Sequence, residues 1–176
     1  MEKGEQKMSV IAANPEAAVV NLQNDSMNAK GECIILLKAT PSDYENVAAL
    51  LSSQLLPVED MDKKLPHFFV AKEKETITAV IGLEVYGSLG LLRSMATEPT
   101  YRNKGLASML VLELINYAKQ IGIREIFLLT ETAETYFSKK GFLKINREEV
   151  PVAIKTSSEF SHLCPSSAIL MKKEIL

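Results

Sequence analysis

The sequence predicts a single α/β domain built on a mixed sheet with helices on both faces. Strand-like runs cluster between residues 34 and 97 and then alternate with helical patterns, an order that lays helices over a sheet. A helical apolar repeat, Leu106, Leu110, Leu114, Tyr117, Ala118 and Ile121, follows a loop with one glycine. The 176 residues, 47% apolar and 24% charged, suffice for one sizeable core and little more.

Residues 1–31, rich in Asn, Ala, Glu and Gln without periodicity, read as a mobile N-terminal extension, and residues 32–176 as the domain. Ile34 to Lys38 is a first strand. Thr40-Pro41-Ser42-Asp43 is a helix-start signal, with Glu45 in the first turn and the helix running through Val47, Leu50 and Leu51. His67 to Lys72 and Thr76 to Tyr86 are two strands around a charged turn. Gly87-Ser88-Leu89-Gly90 is a second turn, so Thr76 to Thr97 reads as a long hairpin. Gly122 caps the central helix. Ile126-Phe127-Leu128-Leu129 has the form of a strand covered on both faces. A helix from Thr132 to Lys140 stops at Gly141 and gives way to a strand over Phe142 to Ile145. A last helical segment near Ser157 to Leu163 precedes a closing strand at Ala168 to Lys172.

Between the hairpin and the central helix lies Thr97-Glu98-Pro99-Thr100-Tyr101-Arg102-Asn103-Lys104-Gly105-Leu106-Ala107. Pro99 forbids continuation of the paired strand, and Gly105 lets the backbone approach a ligand closely. Unpaired N–H groups at the helix start, the positive end of its dipole, Arg102 and Lys104 together suit a pyrophosphate. The spacing fits neither the mononucleotide loop, which needs two glycines and a Lys followed by Ser or Thr, nor the three-glycine dinucleotide fingerprint. Taken alone it is an anion site, and a solvated basic turn is the plain alternative.

Arg102 to Ala107 resembles the Arg/Gln-x-x-Gly-x-Gly/Ala signature of the GCN5-related N-acetyltransferases. Ala133-Glu134-Thr135-Tyr136-Phe137-Ser138-Lys139-Lys140-Gly141-Phe142 is similar to that family's Ala-x-x-Phe-Tyr-x-x-x-Gly-Phe stretch, and the likeness runs over roughly residues 33 to 176. The resemblance implies a mostly antiparallel central sheet, acetyl-coenzyme A as cosubstrate and no metal. It implies that Met95, Ala96, Thr97, Arg102, Asn103, Lys104, Gly105, Leu106, Ala107 and Phe137 hold the cofactor. Where many members carry a tyrosine that protonates the departing thiolate, this chain has Phe137. Tyr136 stands about 100° around the helix and belongs to a packing position.

The segment from Glu148 to Ala168, with Leu55 to Asp60 and Leu91 to Ser94, is similar to a subgroup of the family that acetylates arsinothricin and phosphinothricin. The expected acceptor is therefore the α-amino group of a small acidic amino acid. Arg93, in an otherwise apolar strand, needs an anionic partner. A substrate carboxylate held bidentately would serve, and an internal ion pair to Glu84 or another carboxylate is the alternative. Thr156, Ser157 and Ser158 offer hydroxyls to an acidic group, or cap a helix. Glu84 is the first candidate for the base that deprotonates the amine, with Glu131 and Glu134 as rivals. Backbone N–H groups of Met95 to Thr97 are the expected polarisers of the thioester carbonyl. Two other readings stay open: acetylation of an unrelated amine, and a noncatalytic acyl-coenzyme A sensor.

A formal net charge of −2 gives no basic footprint for nucleic acid. No apolar run is long enough to span a bilayer, and Glu2, Lys3, Glu5, Gln6 and Lys7 are too polar for a signal peptide, so a cytoplasmic location is expected. Cys33 and Cys164 form no disulfide framework, and His162 and His67 lack the neighbours of a zinc site. The partner expected is a small-molecule amine, and a homodimer is compatible with the family likeness.

Overall fold

A computed structural model describes residues 17–19, 34–163 and 165–175. Eight strands form one sheet in the order β1-β2-β3-β4-β5-β6-β8-β7, where β1 is Ala17–Val19, β2 Ile34–Lys38, β3 Phe68–Glu73, β4 Thr76–Tyr86, β5 Leu89–Thr97, β6 Glu125–Thr130, β7 Leu143–Lys144 and β8 Ile169–Glu174. Every pairing is antiparallel except that of β5 with β6. β1 pairs with β2 inside the segment read as an extension without elements; the rest of that segment lies outside the described residues.

Period two sorts the strand residues onto two faces. Phe69, Ala71, Ile81, Leu83 and Leu92 pack under α2 (Leu106–Gln120) through Leu106, Leu110, Val111, Leu114 and Ala118. Phe68, Val70, Val80 and Ala96 face the other way, against Val47, Leu50 and Leu51 of α1 (Tyr44–Ser53). Each such leucine, fully buried, contributes about 1.5–3 kcal/mol. The short α3 (Glu134–Lys139) joins the first face through Phe137 and Phe142, and α4 (Val152–Lys155) covers the second through Ile154 over Leu91, Phe127 and Leu170. Helices thus lie on both faces, as the order of elements implied.

The entry to α1 follows its sequence signal. Asp43 Oδ2 accepts the Thr40 N–H and hydroxyl at 2.9 Å, and its Oδ1 lies 2.5 Å from Lys72 Nζ on β3. Burial pushes the Asp43 carboxyl up, but the bonds from Lys72 and Thr40 outweigh it and hold the group below its ordinary value.

Two expectations change in detail. The helix foreseen from Thr132 begins at Glu134, because the Thr130 hydroxyl accepts the Ala133 N–H at 3.0 Å and holds the chain in a turn first. The helical segment foreseen near Ser157 to Leu163 is a π-type turn over Glu159–Leu163, and the unforeseen α4 precedes it, with the Ser157 hydroxyl between the two donating to Ile154 O and accepting from Phe160 N.

Candidate active site

The site is made by a divergence of two strands. β5 and β6 pair only from Leu89↔Glu125 to Leu92↔Leu128, although β5 runs on to Thr97 and β6 to Thr130. At the point of parting, Ser94 has φ of +53°, and the register of β4 with β5 shifts between Val80 and Gly82. A left-handed non-glycine residue costs about 1–2 kcal/mol, and here it bends β5 away from β6 while β4 stays paired with its far end through Ala79↔Thr97. The backbone of Met95 to Thr97 therefore faces the gap on the side that β6 has left.

A cavity of about 890 Å³ occupies that gap, within the range of about 300–1,000 Å³ usual for ligand sites. Met95, Ala96, Thr97, Arg102, Asn103, Gly105, Leu106, Ala107 and Phe137 line it, so nine of the ten expected cofactor residues converge. Lys104 does not line the cavity; its ammonium lies 4.5 Å over the ring of Tyr101, on the exposed side of the turn. Asn103 and Gly105 have φ of +62° and +81°, which turns consecutive N–H groups toward the start of the 15-residue α2. A Cβ on Gly105 would meet no protein atom within 4 Å, so that side is open to a ligand. Arg102 donates to Thr97 O and to Gln54, which ties the cradle to the end of α1. These features fit a pyrophosphate at the helix start and an acyl arm running into the gap.

Phe137, 5% exposed, packs edge-on against Phe142 and has no proton to give. Tyr136 packs edge-on against Phe137, as its register implied, yet it also lines the cavity. Its hydroxyl oxygen is buried without a hydrogen-bond partner among the described residues, beside Ser108, and burial raises its pKa.

Arg93 corrects the sequence reading. Its guanidinium, 2% exposed, is held bidentately by Asp60 at 2.6 and 2.7 Å, by Glu84, and by Glu159 at 3.3 Å, while Nε donates to Ser94 Oγ at 3.2 Å. With those donors engaged, Arg93 closes an internal ion-pair network, the alternative weighed for it, in place of a clamp on a substrate carboxylate. Glu84 is corrected with it. Its carboxylate accepts from Arg93 and from the Tyr86 hydroxyl at 2.5 Å and is absent from the cavity lining, so it serves as a counter-ion. Burial and then Glu84 push the Tyr86 hydroxyl pKa up. Thr156 and Ser158 also stand outside the lining: Thr156 Oγ1 donates to Ala153 O, and the Ser158 side chain bonds to Asp60.

Sequence reasoning missed Gln54 to Pro57, Ser108, Thr130, Glu159 and Leu163 as cavity residues. For Glu159, flanked by Ser158 and Phe160 in a polar stretch, no local signal marked it out.

Residues 36–142 match the profile described as the acetyltransferase (GNAT) family. The chain is 30% identical over 98 residues to an uncharacterized N-acetyltransferase of Chlorobaculum tepidum, covering 55% of this chain and 63% of that one. It is 26% identical over 96 residues to an amino-acid acetyltransferase of Aeromonas salmonicida, covering 53% of this chain and 22% of the relative, so it spans less than two thirds of both. Among solved structures, N-acetylglutamate synthase of Neisseria gonorrhoeae, complexed with coenzyme A and N-acetylglutamate, has the same fold with a TM-score of 0.70 at 18% identity over 81% of this chain and 35% of its own.

Proposed function

Because the chain belongs to the GNAT acetyltransferase family, we propose that it moves the acetyl group of acetyl-coenzyme A to the α-amino group of a small amino acid. The acceptors to try first are arsinothricin, phosphinothricin and glutamate. The observation that carries this reading is the meeting of three features in one cavity: the N–H cradle at Gly105, the strand edge left open at Met95 to Thr97, and a side wall containing Glu159. Three carboxylates around one guanidinium make the neighbouring cluster net negative, which draws an ammonium group in. The acidic character of the amino acid is supported by the likeness of the segment from Glu148 to Ala168 to the arsinothricin-acetylating subgroup. The names of an amino-acid acetyltransferase and an N-acetylglutamate synthase among the similar proteins agree with an amino acid acceptor.

Thiol release from acetyl-coenzyme A over arsinothricin, phosphinothricin, glutamate, a neutral amino acid, spermidine and an aminoglycoside tests it. Turnover is expected with the acidic amino acids and weakly or not at all with the polyamine. Preference for spermidine or the aminoglycoside would overturn the acceptor class. Phe137 favours one second reading, an acyl-coenzyme A sensor. Tight coenzyme A binding without thiol release for any amine would establish it.

A further inference from the structure

The acetyltransfer reading needs a group that takes a proton from the attacking amine, and the residue first expected to do so, Glu84, is closed off between Tyr86 and Arg93. We propose that Glu159 receives that proton and is the catalytic base of this site. The inference rests on the proposed acetyl transfer and adds the residue that makes the amine nucleophilic.

Geometry singles it out. Of the three carboxylates on Arg93, Glu159 alone lines the cavity among the described residues. Asp60 is tied by two short bonds to the guanidinium and by Ser158, and a proton placed there would break them. Glu159 meets Arg93 at 3.3 Å, the longest contact of the three to the guanidinium. The turn that carries it is fixed from below: Phe160 N–H donates to Ser157 Oγ at 3.2 Å and the Ser161 hydroxyl donates to Ser157 O at 2.5 Å. It lines the same cavity as Ser94 and Ala96 of β5, the strand edge proposed to polarise the thioester. Glu131, the other carboxylate of the lining, is exposed to solvent.

The step balances. The amine nitrogen bonds to the thioester carbonyl carbon, the oxyanion is held by the β5 N–H groups, and collapse breaks the carbon–sulfur bond. The nitrogen proton passes to Glu159, the thiolate leaves and takes a proton from water, and Glu159 returns its proton to solvent.

Glu159→Gln keeps the size and one acceptor for Arg93 but cannot take a proton. It should lower kcat by roughly 10²–10⁴-fold, abolish the rise of kcat with pH that a titrating carboxylate produces, and leave coenzyme A affinity and the melting temperature near the wild type. Glu159 pairs with Arg93 on β5, and the same guanidinium holds Glu84 on β4 and Asp60 after α1, all of which the variant retains. Glu159→Asp should recover part of the rate with its pH dependence. The measurement uses whichever amine the wild type turns over. If it turns over none of them, the amino acid reading fails separately, and the acceptor-independent hydrolysis of acetyl-coenzyme A, where water yields its proton to the same carboxylate, takes its place. A Glu159→Gln variant with unchanged kcat and pH profile, or one whose only losses are of melting temperature and cofactor affinity, overturns the proposal.

Discussion

Replacing Arg93 with alanine removes a cation that pairs with Asp60, Glu84 and Glu159 at once. Taking away one partner of a buried ion pair costs about 3–5 kcal/mol, because the stranded charge is left in a poorly solvating site. Arg93 is 2% exposed, whereas the Asp60, Glu84 and Glu159 side chains are 20%, 24% and 12% exposed, so water reaches the stranded groups in part and the lower end, about 3 kcal/mol, is expected. For a chain of this length each kcal/mol moves the melting temperature by about 2–4 °C, which gives a fall of about 6–12 °C at pH 7. Hydrogen bonding from Arg93 holds the Asp60 carboxyl below its ordinary value. A depressed carboxylate contributes stability that is fully present above the unfolded value near pH 3.9 and is lost as pH falls through the folded value. The part of the gap between wild type and Arg93→Ala that runs through Asp60 should therefore be full at pH 7 and close as the pH falls below about 4, through the folded value of Asp60. Arg93→Lys should restore little, since one ammonium cannot bridge three carboxylates through a planar fork. Thermal melts across pH, with the acceptor panel run on the same variants, check this. A shift under about 2 °C at pH 7, or a selective loss of acidic acceptors in a fully stable variant, would refute the ion-pair account and return Arg93 to the role of a substrate clamp.

Gly105→Val places a β-branched side chain at φ of +81° in the open space at the start of α2. It should cost about 1–2 kcal/mol of strain and weaken coenzyme A binding by at least about tenfold; unchanged affinity by calorimetry in the folded variant would remove the cradle. Tyr136→Phe deletes a hydroxyl that makes no hydrogen bond among the described residues, so the melting temperature should hold or rise. Its kcat should fall far less than the roughly 10²–10⁴-fold loss of a missing general acid, and a loss of that size would make Tyr136 the acid. Asp43→Ala removes the acceptor of the Thr40 cap, about 1 kcal/mol, and leaves Lys72 without its 2.5 Å partner; equal stability in urea would contradict the capping role.

The fold was legible because its elements announce themselves locally. The repeat from Leu106 to Ala118 is a one-face helical stripe, and the same residues cover the sheet in the structure. Phe68 and Phe69 are adjacent in sequence and serve opposite cores, which is period two expressed as packing. What local pattern cannot carry is strand order. The insertion of β8 between β6 and β7 depends on which edges remain unpaired after the hairpin forms, a property of the whole sheet. The break near Ser157 was hidden for a different reason: its hydroxyl competes with the helix for Ile154 O, and the sequence does not say which will win.

The site divides along the same line. The cradle lies within one continuous segment, Thr97 to Ala107, so its residue types and spacing could be read locally, and six of the residues expected there, Thr97, Arg102, Asn103, Gly105, Leu106 and Ala107, line one cavity. Arg93 and its three carboxylates come from positions 60, 84, 93 and 159, and only the fold decides which acids reach it. A guanidinium in an apolar strand certifies that a counter-charge exists without naming the molecule that supplies it. Here the protein supplies it three times over, and the excess of acid changes what the neighbouring cavity can attract. A clamp with free donors would select for a substrate carboxylate; a guanidinium outnumbered by carboxylates favours a cation nearby, which under the proposed function is the acceptor's ammonium. If the acceptor is the acidic amino acid proposed, its side chain must meet the other cationic or hydroxyl-bearing walls of the cavity, Arg102 and Thr130 among them, which would tie the choice of acceptor to the loop before α2.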